Sequence, residues 1–265
     1  MTLLRPAARL RPVQSATESI VGQLGGTPSL PETTPWPEWS GQGPLSFIAS
    51  IDCKAVQSLG LDIVLPRDGR LAFFYFDGQS NNFETFVLHE DPSSAQGCRV
   101  IYTPESTLAV PRACPNGLEP YPKLDLAADS IVTYPNWEHP VLTKAFRRQG
   151  ETDREFLDHP INSDAFYQEL WELESGPRHQ VGGYAAPVQG PVENEAAQLA
   201  LGGKIKWDSP ALAEEAGRWR LLARIDNDDE AKMMWGDVGT LYWLMPPHDL
   251  IEQRFDAAGF TWQCH

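Results

Sequence analysis

Short runs of β-branched and aromatic residues, bounded by Gly, Pro and Asp, recur along this chain and predict strands. In the first half the clearest are Leu45–Cys53 (LSFIASIDC) and Leu71–Asp77 (LAFFYFD). In the second half they are Trp219–Asp226 (WRLLARID) and Thr240–Met245 (TLYWLM). Arg99–Tyr102 and Ile131–Tyr134 are shorter candidates, and Phe260–His265 reads as a closing strand. Phe83, Thr85 and Val87 alternate as a strand does, until Leu88 breaks the pattern. Between the two β-rich parts the period changes. Val141–Gln149 reads as a helix ended by Gly150, and residues 163–175 place Phe166, Leu170 and Leu173 at i, i+4 and i+7 before Gly176 and Pro177. Ser209-Pro210 reads as an N-cap followed by proline at the first helical position, opening a helix to about Ala216. Ser15–Glu18 and Asp249–Glu252 have capping-box spacing and predict helices over 16–24 and from Asp249 to about Ala258. Residues 22–44, with Pro28, Pro31, Pro35 and Pro37, read as an ordered or semi-ordered loop that is neither helix nor sheet.

The β-rich parts echo one another. Gly25-Gly26, then Ala49-Ser50-Ile51-Asp52, then Gly69-Arg70-Leu71-Ala72-Phe73 recur as Gly182-Gly183, Ala223-Arg224-Ile225-Asp226 and Gly239-Thr240-Leu241-Tyr242-Trp243. Three blocks in one order predict an internally duplicated α+β fold of antiparallel β-rich halves with helices packed around them. On this reading residues 1–20 are an N-terminal arm. Residues 21–265 form one domain of two pseudo-repeats, about 21–135 and 180–265, joined by an acidic helical segment at 136–179.

The chain has 265 residues and a formal charge of −15, which speaks against a nucleic-acid binder, since phosphate contacts need a cationic face. No apolar run reaches membrane-spanning length, and the opening MTLLRPAARLRPV has no secretory apolar segment, so a cytoplasmic protein is expected. Cys53, Cys98, Cys114 and Cys264 form no CxxC pair and read as free thiols. From Glu151 to Glu174 eight acids face a single base, Arg154. This is either a solvated helix face or a surface that steers a basic partner.

The most charged candidate site is Asp226-Asn227-Asp228-Asp229-Glu230, leading into Trp235-Gly236-Asp237. As a calcium loop it fails, because Ala231 stands where the sharp turn needs Gly and Asp237 where a longer Glu is needed. It reads either as a turn-forming acidic loop or as a carboxylate cluster serving acid–base chemistry. The six His residues are scattered, and there is no GxSxG, P-loop or complete dinucleotide fingerprint, so no cofactor is expected. Trp36, clamped between Pro35 and Pro37, either plugs the core or anchors a partner.

These blocks carry a family resemblance. Gly25–Pro31, Pro35-Trp36-Pro37, Pro44–Asp52 and Gly69–Tyr75 resemble the opening of the bacterial YwqG-like family. Leu221–Asp226, Asp228, Trp235–Tyr242, Asp249-Leu250 and Trp262-Gln263-Cys264 resemble its second half, the Trp-Gly-Asp-x-Gly block most specifically. Ser50 and Arg224 depart from it, since the family usually carries Gln at both. The resemblance implies a duplicated α+β fold without established activity, some members of which belong to toxin–immunity neighbourhoods. The expectation is therefore a non-catalytic, immunity-like protein that binds a protein partner through an acidic surface, with Trp36, Asp226, Asp228, Asp229, Trp235 and Asp237 as candidate contacts. The alternative is a metal- or small-ligand-dependent enzyme using Asp226, Asp228 and Asp237.

Overall fold

The computed structural model describes residues 3–136, 139–172 and 179–265. Its main feature is one ten-stranded antiparallel sheet. The strands, in chain order, are β1 (Arg5–Pro12), β2 (Gly22–Leu24), β3 (Ser46–Asp52), β4 (Arg70–Tyr75), β5 (Cys98–Thr103), β6 (Leu124–Thr133), β7 (His179–Val181), β8 (Arg220–Asp226), β9 (Thr240–Met245) and β10 (Gly259–Gln263). In space they run β10-β9-β8-β7-β1-β6-β2-β3-β4-β5. The central pair is β1 with β6, in register from Arg5↔Thr133 to Pro12↔Leu126. One wing of four strands lies on each side. The wings are attached crosswise: β2 pairs with β6, and β7 pairs with β1.

Matching details recur in the two wings. Gln23 lies opposite Ser50, and Gln180 lies opposite Arg224. Each glutamine amide donates to the carbonyl two residues on, Gly25 or Gly182, at 2.7 Å. Each is followed by two glycines of positive φ, 52° and 70° at Gly25-Gly26 and 71° and 75° at Gly182-Gly183. The β3/β4 ladder slips between Phe47 and Ala49, and the β8/β9 ladder slips between Leu221 and Ala223.

The sheet curls until the inner faces of its wings meet in a nearly closed barrel. Phe73 of β4 lies 5.2 Å from Trp243 of β9, and Tyr75 stacks 4.9 Å from Phe260 of β10. Phe255 lies 5.6 Å from Tyr102 and covers the β5 edge, which would otherwise be open to pairing. The outer faces are covered differently. Over the first wing lies the proline-rich segment, with Trp36 edge-on to Phe74 and Trp39 edge-on to Phe76. Over the second lie helices at Val192–Ala200 and Pro210–Ala216, which bury Leu221, Tyr242 and Leu244. With both faces covered, the strands read as continuous apolar runs rather than alternating ones.

Other helices occupy Cys53–Gln57, Pro140–Phe146, Asp153–Leu157, Asp164–Glu172 and Pro247–Ile251. Leu142, Phe156 and Ile161 form a small core of their own, with Phe166 packed on it. Leu173, Glu174, Gly176 and Pro177 lie outside the described residues.

Several expectations need correction. Residues 5–12 are no arm but the middle of the sheet. Pro6 and Pro12 are tolerated there because β7 pairs only with Ala8–Leu10, leaving each proline a ladder on one side alone. The helix over 16–24 is replaced by a turn, in which the Glu18 carboxylate accepts from the Gln14 and Ser15 amides, followed by β2. The segment 22–44 contains β2, the pair Ser29–Pro31 with Ala109–Pro111, and the pair Glu38–Trp39 with Gly43–Pro44. Phe83–His89 is not a strand, since Asn82 and Phe83 take positive φ of 56° and 62°. The helix begins at Pro247 rather than Asp249 and ends at Ile251, just before Gln253 takes a positive φ of 57°, and the Asp249 carboxylate accepts from Arg254 at 2.7 Å rather than capping.

A Cβ at Gly25 would lie 2.4 Å from the Pro122 carbonyl oxygen and 2.7 Å from that of Tyr121, at a φ of +52°. At Gly41, with φ +81°, it would meet nothing. Gly25→Ala is therefore expected to cost about 3 kcal/mol in denaturant unfolding, and Gly41→Ala only the left-handed penalty of about 1 kcal/mol.

Candidate functional site

The acid-rich turn after β8 is held together from within. Arg224 lies two residues before Asp226, on the same strand face. Its guanidinium grips that carboxylate through Nε at 2.8 Å and Nη2 at 2.9 Å. The Thr240 hydroxyl donates to the same carboxylate at 2.8 Å. Asp228 and Met233 pair across a tight loop. Asp228 accepts from the Ala231 amide at 2.8 Å, and its other oxygen lies 3.2 Å from Nε2 of buried His179 on β7. The hydrogen bond to His179 holds the Asp228 carboxyl below the usual carboxylate range against the opposing effect of burial.

The remaining sequence candidates scatter. Asp229 and Asp237 are exposed, and the Asp237 carbonyl accepts from the His265 amide at 3.0 Å. The Asp226 and Asp228 carboxylates thus face Arg224 and His179, while Asp237 lies exposed. Among the described residues no group of three His, Cys, Asp or Glu side chains is placed to hold a metal ion. Trp36 is half-buried on Phe74, with its indole donating to the Leu45 carbonyl at 2.8 Å.

Trp235 is the candidate that leads to a cavity. The cavity measures about 650 Å³ and lies where the ends of β4 and β10 meet the segments 77–86, 119–122 and 232–236. Trp235 is buried in its wall, edge-on to Tyr75 at 5.9 Å and to Tyr121 at 5.6 Å. Its indole N–H is buried and has no hydrogen-bond partner among the described residues. The polar part of the wall is preorganised. Asp77 Oδ2 accepts from the Tyr121 hydroxyl at 2.7 Å and from the Gln79 side-chain amide at 2.7 Å. Gln79 in turn accepts from the Glu119 amide at 2.9 Å, which ties the two segments together. Burial first, and the Asp77 charge second, push the Tyr121 phenol well above its ordinary range, so it remains a donor.

The apolar part of the wall is unusually open. Phe83, Phe86 and Met234 are 59%, 49% and 52% exposed. Three large apolar side chains around one cleft form the kind of patch that soluble proteins keep for binding. Phe83 and Lys232 line the cleft with positive φ of 62° and 52°. That conformation costs each about 1–2 kcal/mol and is tolerated only where the surroundings enforce it. Sequence reasoning found Trp235 but missed Asp77, Gln79, Phe83, Phe86, Tyr121 and Trp262. The available signal was the failed alternation at Leu88 beside Asp77-Gly78, which marks an aromatic loop rather than a strand.

Fold and site together define an antiparallel, barrel-like sheet protein with an aromatic, acid-edged cleft at its rim. The chain belongs to the family described as a domain of unknown function, DUF1963, whose model matches residues 22–264. No curated protein matches it.

Because Asp228 has a lowered carboxyl pKa in the folded state, the stability it contributes is fully present above the unfolded value near 4. It is lost as pH falls from there through the folded value. Asp228→Asn is expected to cost roughly 2 kcal/mol at neutral pH by loss of the His179 pair. In urea unfolding across pH, the gap between wild type and variant should close below about pH 4.

Proposed function

We propose that this chain is a binding protein that docks a basic segment of a protein partner at the cleft beside Trp235. The observation that carries this reading is the cavity itself, which exposed Phe83, Phe86 and Met234 surround. Charge complementarity selects the occupant. Asp77 and Glu119 line the cleft against Lys232 alone, on a chain of net charge −15. The acids of the turn after β8 serve on this reading as structural ties that present Lys232 and Trp235.

The finer identity of the chain as YwqG-like rests on the Trp235-Gly236-Asp237-Val238-Gly239 block and its companions. An immunity-like role, covering a basic protein, is the form of binding this resemblance suggests. The four unpaired cysteines favour a reducing compartment such as the cytoplasm. Internal duplication accounts for the paired details of the wings: Gln23 with Gln180, Gly25-Gly26 with Gly182-Gly183, and the bulges at Phe47/Ala49 and Leu221/Ala223. On this view β1–β5 and β6–β10 are the two copies, each lending its first strand to the other.

The test is to capture a partner from the native host, purify it and measure its affinity for the intact chain. Affinity should fall at least tenfold between low and high salt. Phe86→Ser combined with Met234→Ser, both at exposed positions, should weaken it about tenfold at either salt. Binding indifferent to the double substitution would show that the partner sits elsewhere.

A further inference from the structure

The cleft carries charges of both signs, separated by segment. From 77–86 and 119–122 come Asp77 and Glu119, neither of which makes an ion pair among the described residues. Asp77 receives only neutral donors, the Tyr121 hydroxyl and the Gln79 amides, so its negative charge is oriented but not neutralised. Beside it stand the rings of Tyr121, Trp235, Phe83 and Phe86, whose π faces attract cations. From 232–236 comes a group of opposite need: the Lys232 ammonium calls for an acceptor.

These requirements exclude simple occupants. An apolar group would leave Asp77 uncompensated, a loss that buried polar groups make costly. An anion would meet Asp77 and Glu119. A bare cation would satisfy Asp77 but not the Lys232 side. A group with a cation at one end and a carbonyl at the other meets both walls.

Resting on the docking reading above, we infer that the cleft takes a lysine or arginine residue of the partner. Its ammonium or guanidinium lies between Asp77 and the aromatic rings, and its own peptide carbonyl faces Lys232. Partner recognition is then read from one seated basic residue, with the overall acidity of the chain steering the approach.

The test uses the full chain and three capped single residues: the Nα-acetyl methylamides of lysine, arginine and norleucine. The readout is the indole N–H resonance of Trp235, assigned by its disappearance in Trp235→Phe. Both cationic probes should shift it saturably, with norleucine at least about fivefold weaker. Asp77→Asn should reduce that preference about fivefold. Since Asp77 also orders Tyr121 and Gln79, exposed Glu119→Gln provides a second variant and should lower lysine affinity about twofold. Equal binding of norleucine, or no shift with any probe, overturns the assignment. If the probes fail while Phe86→Ser with Met234→Ser still weakens the captured partner, the docking reading stands and the cation assignment falls. If the probes bind but the partner ignores the cleft, docking falls, and with it the attribution of the cation to a partner's chain.

Discussion

The β1–β6 ladder is the constraint on which the rest of the structure depends. It is the longest pairing in the sheet, eight residues in unbroken register, and both wings hang from it crosswise. Neither wing can be completed from its own stretch of chain, because β2 needs β6 and β7 needs β1. The ladder is braced outside the backbone as well, with Arg11 reaching Asp129 at 2.9 Å across it. Pairings this distant in sequence must close large loops before they are rewarded, so folding of the two wings is coupled.

The curl of the sheet turns this scaffold into a container. Phe73, Tyr75, Trp243 and Phe260 fill its middle with edge-on and stacked rings. Towards the rim the same aromatic layer continues through buried Trp235 and half-buried Tyr121, and the cleft begins there, edged by the exposed Phe83 and Phe86. The acids of the turn after β8 stand behind this arrangement. Asp226 is locked by Arg224 and Thr240, and Asp228 by His179 and the Ala231 amide, so the turn presents Lys232 and Trp235 in a set position. Charge density in the sequence pointed at these aspartates. What they support is the aromatic wall of the cleft.

The strands β3, β4, β8 and β9 were legible because both of their faces are buried, which demands apolar residues at nearly every position. The helix at Pro210–Ala216 was legible from Ser209-Pro210, a purely local signal. What misled was local chemistry with two uses. Glu18 has capping-box spacing, but its carboxylate closes a turn, and Asp249 has the same spacing but binds Arg254. Prolines are rare in a central strand, and the shortness of β7 is what lets β1 carry Pro6 and Pro12. Of the cleft, Trp235 alone was legible, through the block Trp235-Gly236-Asp237.

Composition and local pattern were enough to establish the β-rich halves, the echo between them, the acidity and the free thiols. These properties follow from propensity, burial periodicity and charge, which each residue carries wherever it lies. The central place of β1, the crosswise attachment of the wings and the meeting of Asp77, Tyr121 and Trp235 were settled by folding alone. They join segments far apart along the chain, and nothing within a short window of residues encodes which distant carbonyl, ring or carboxylate will come to stand opposite.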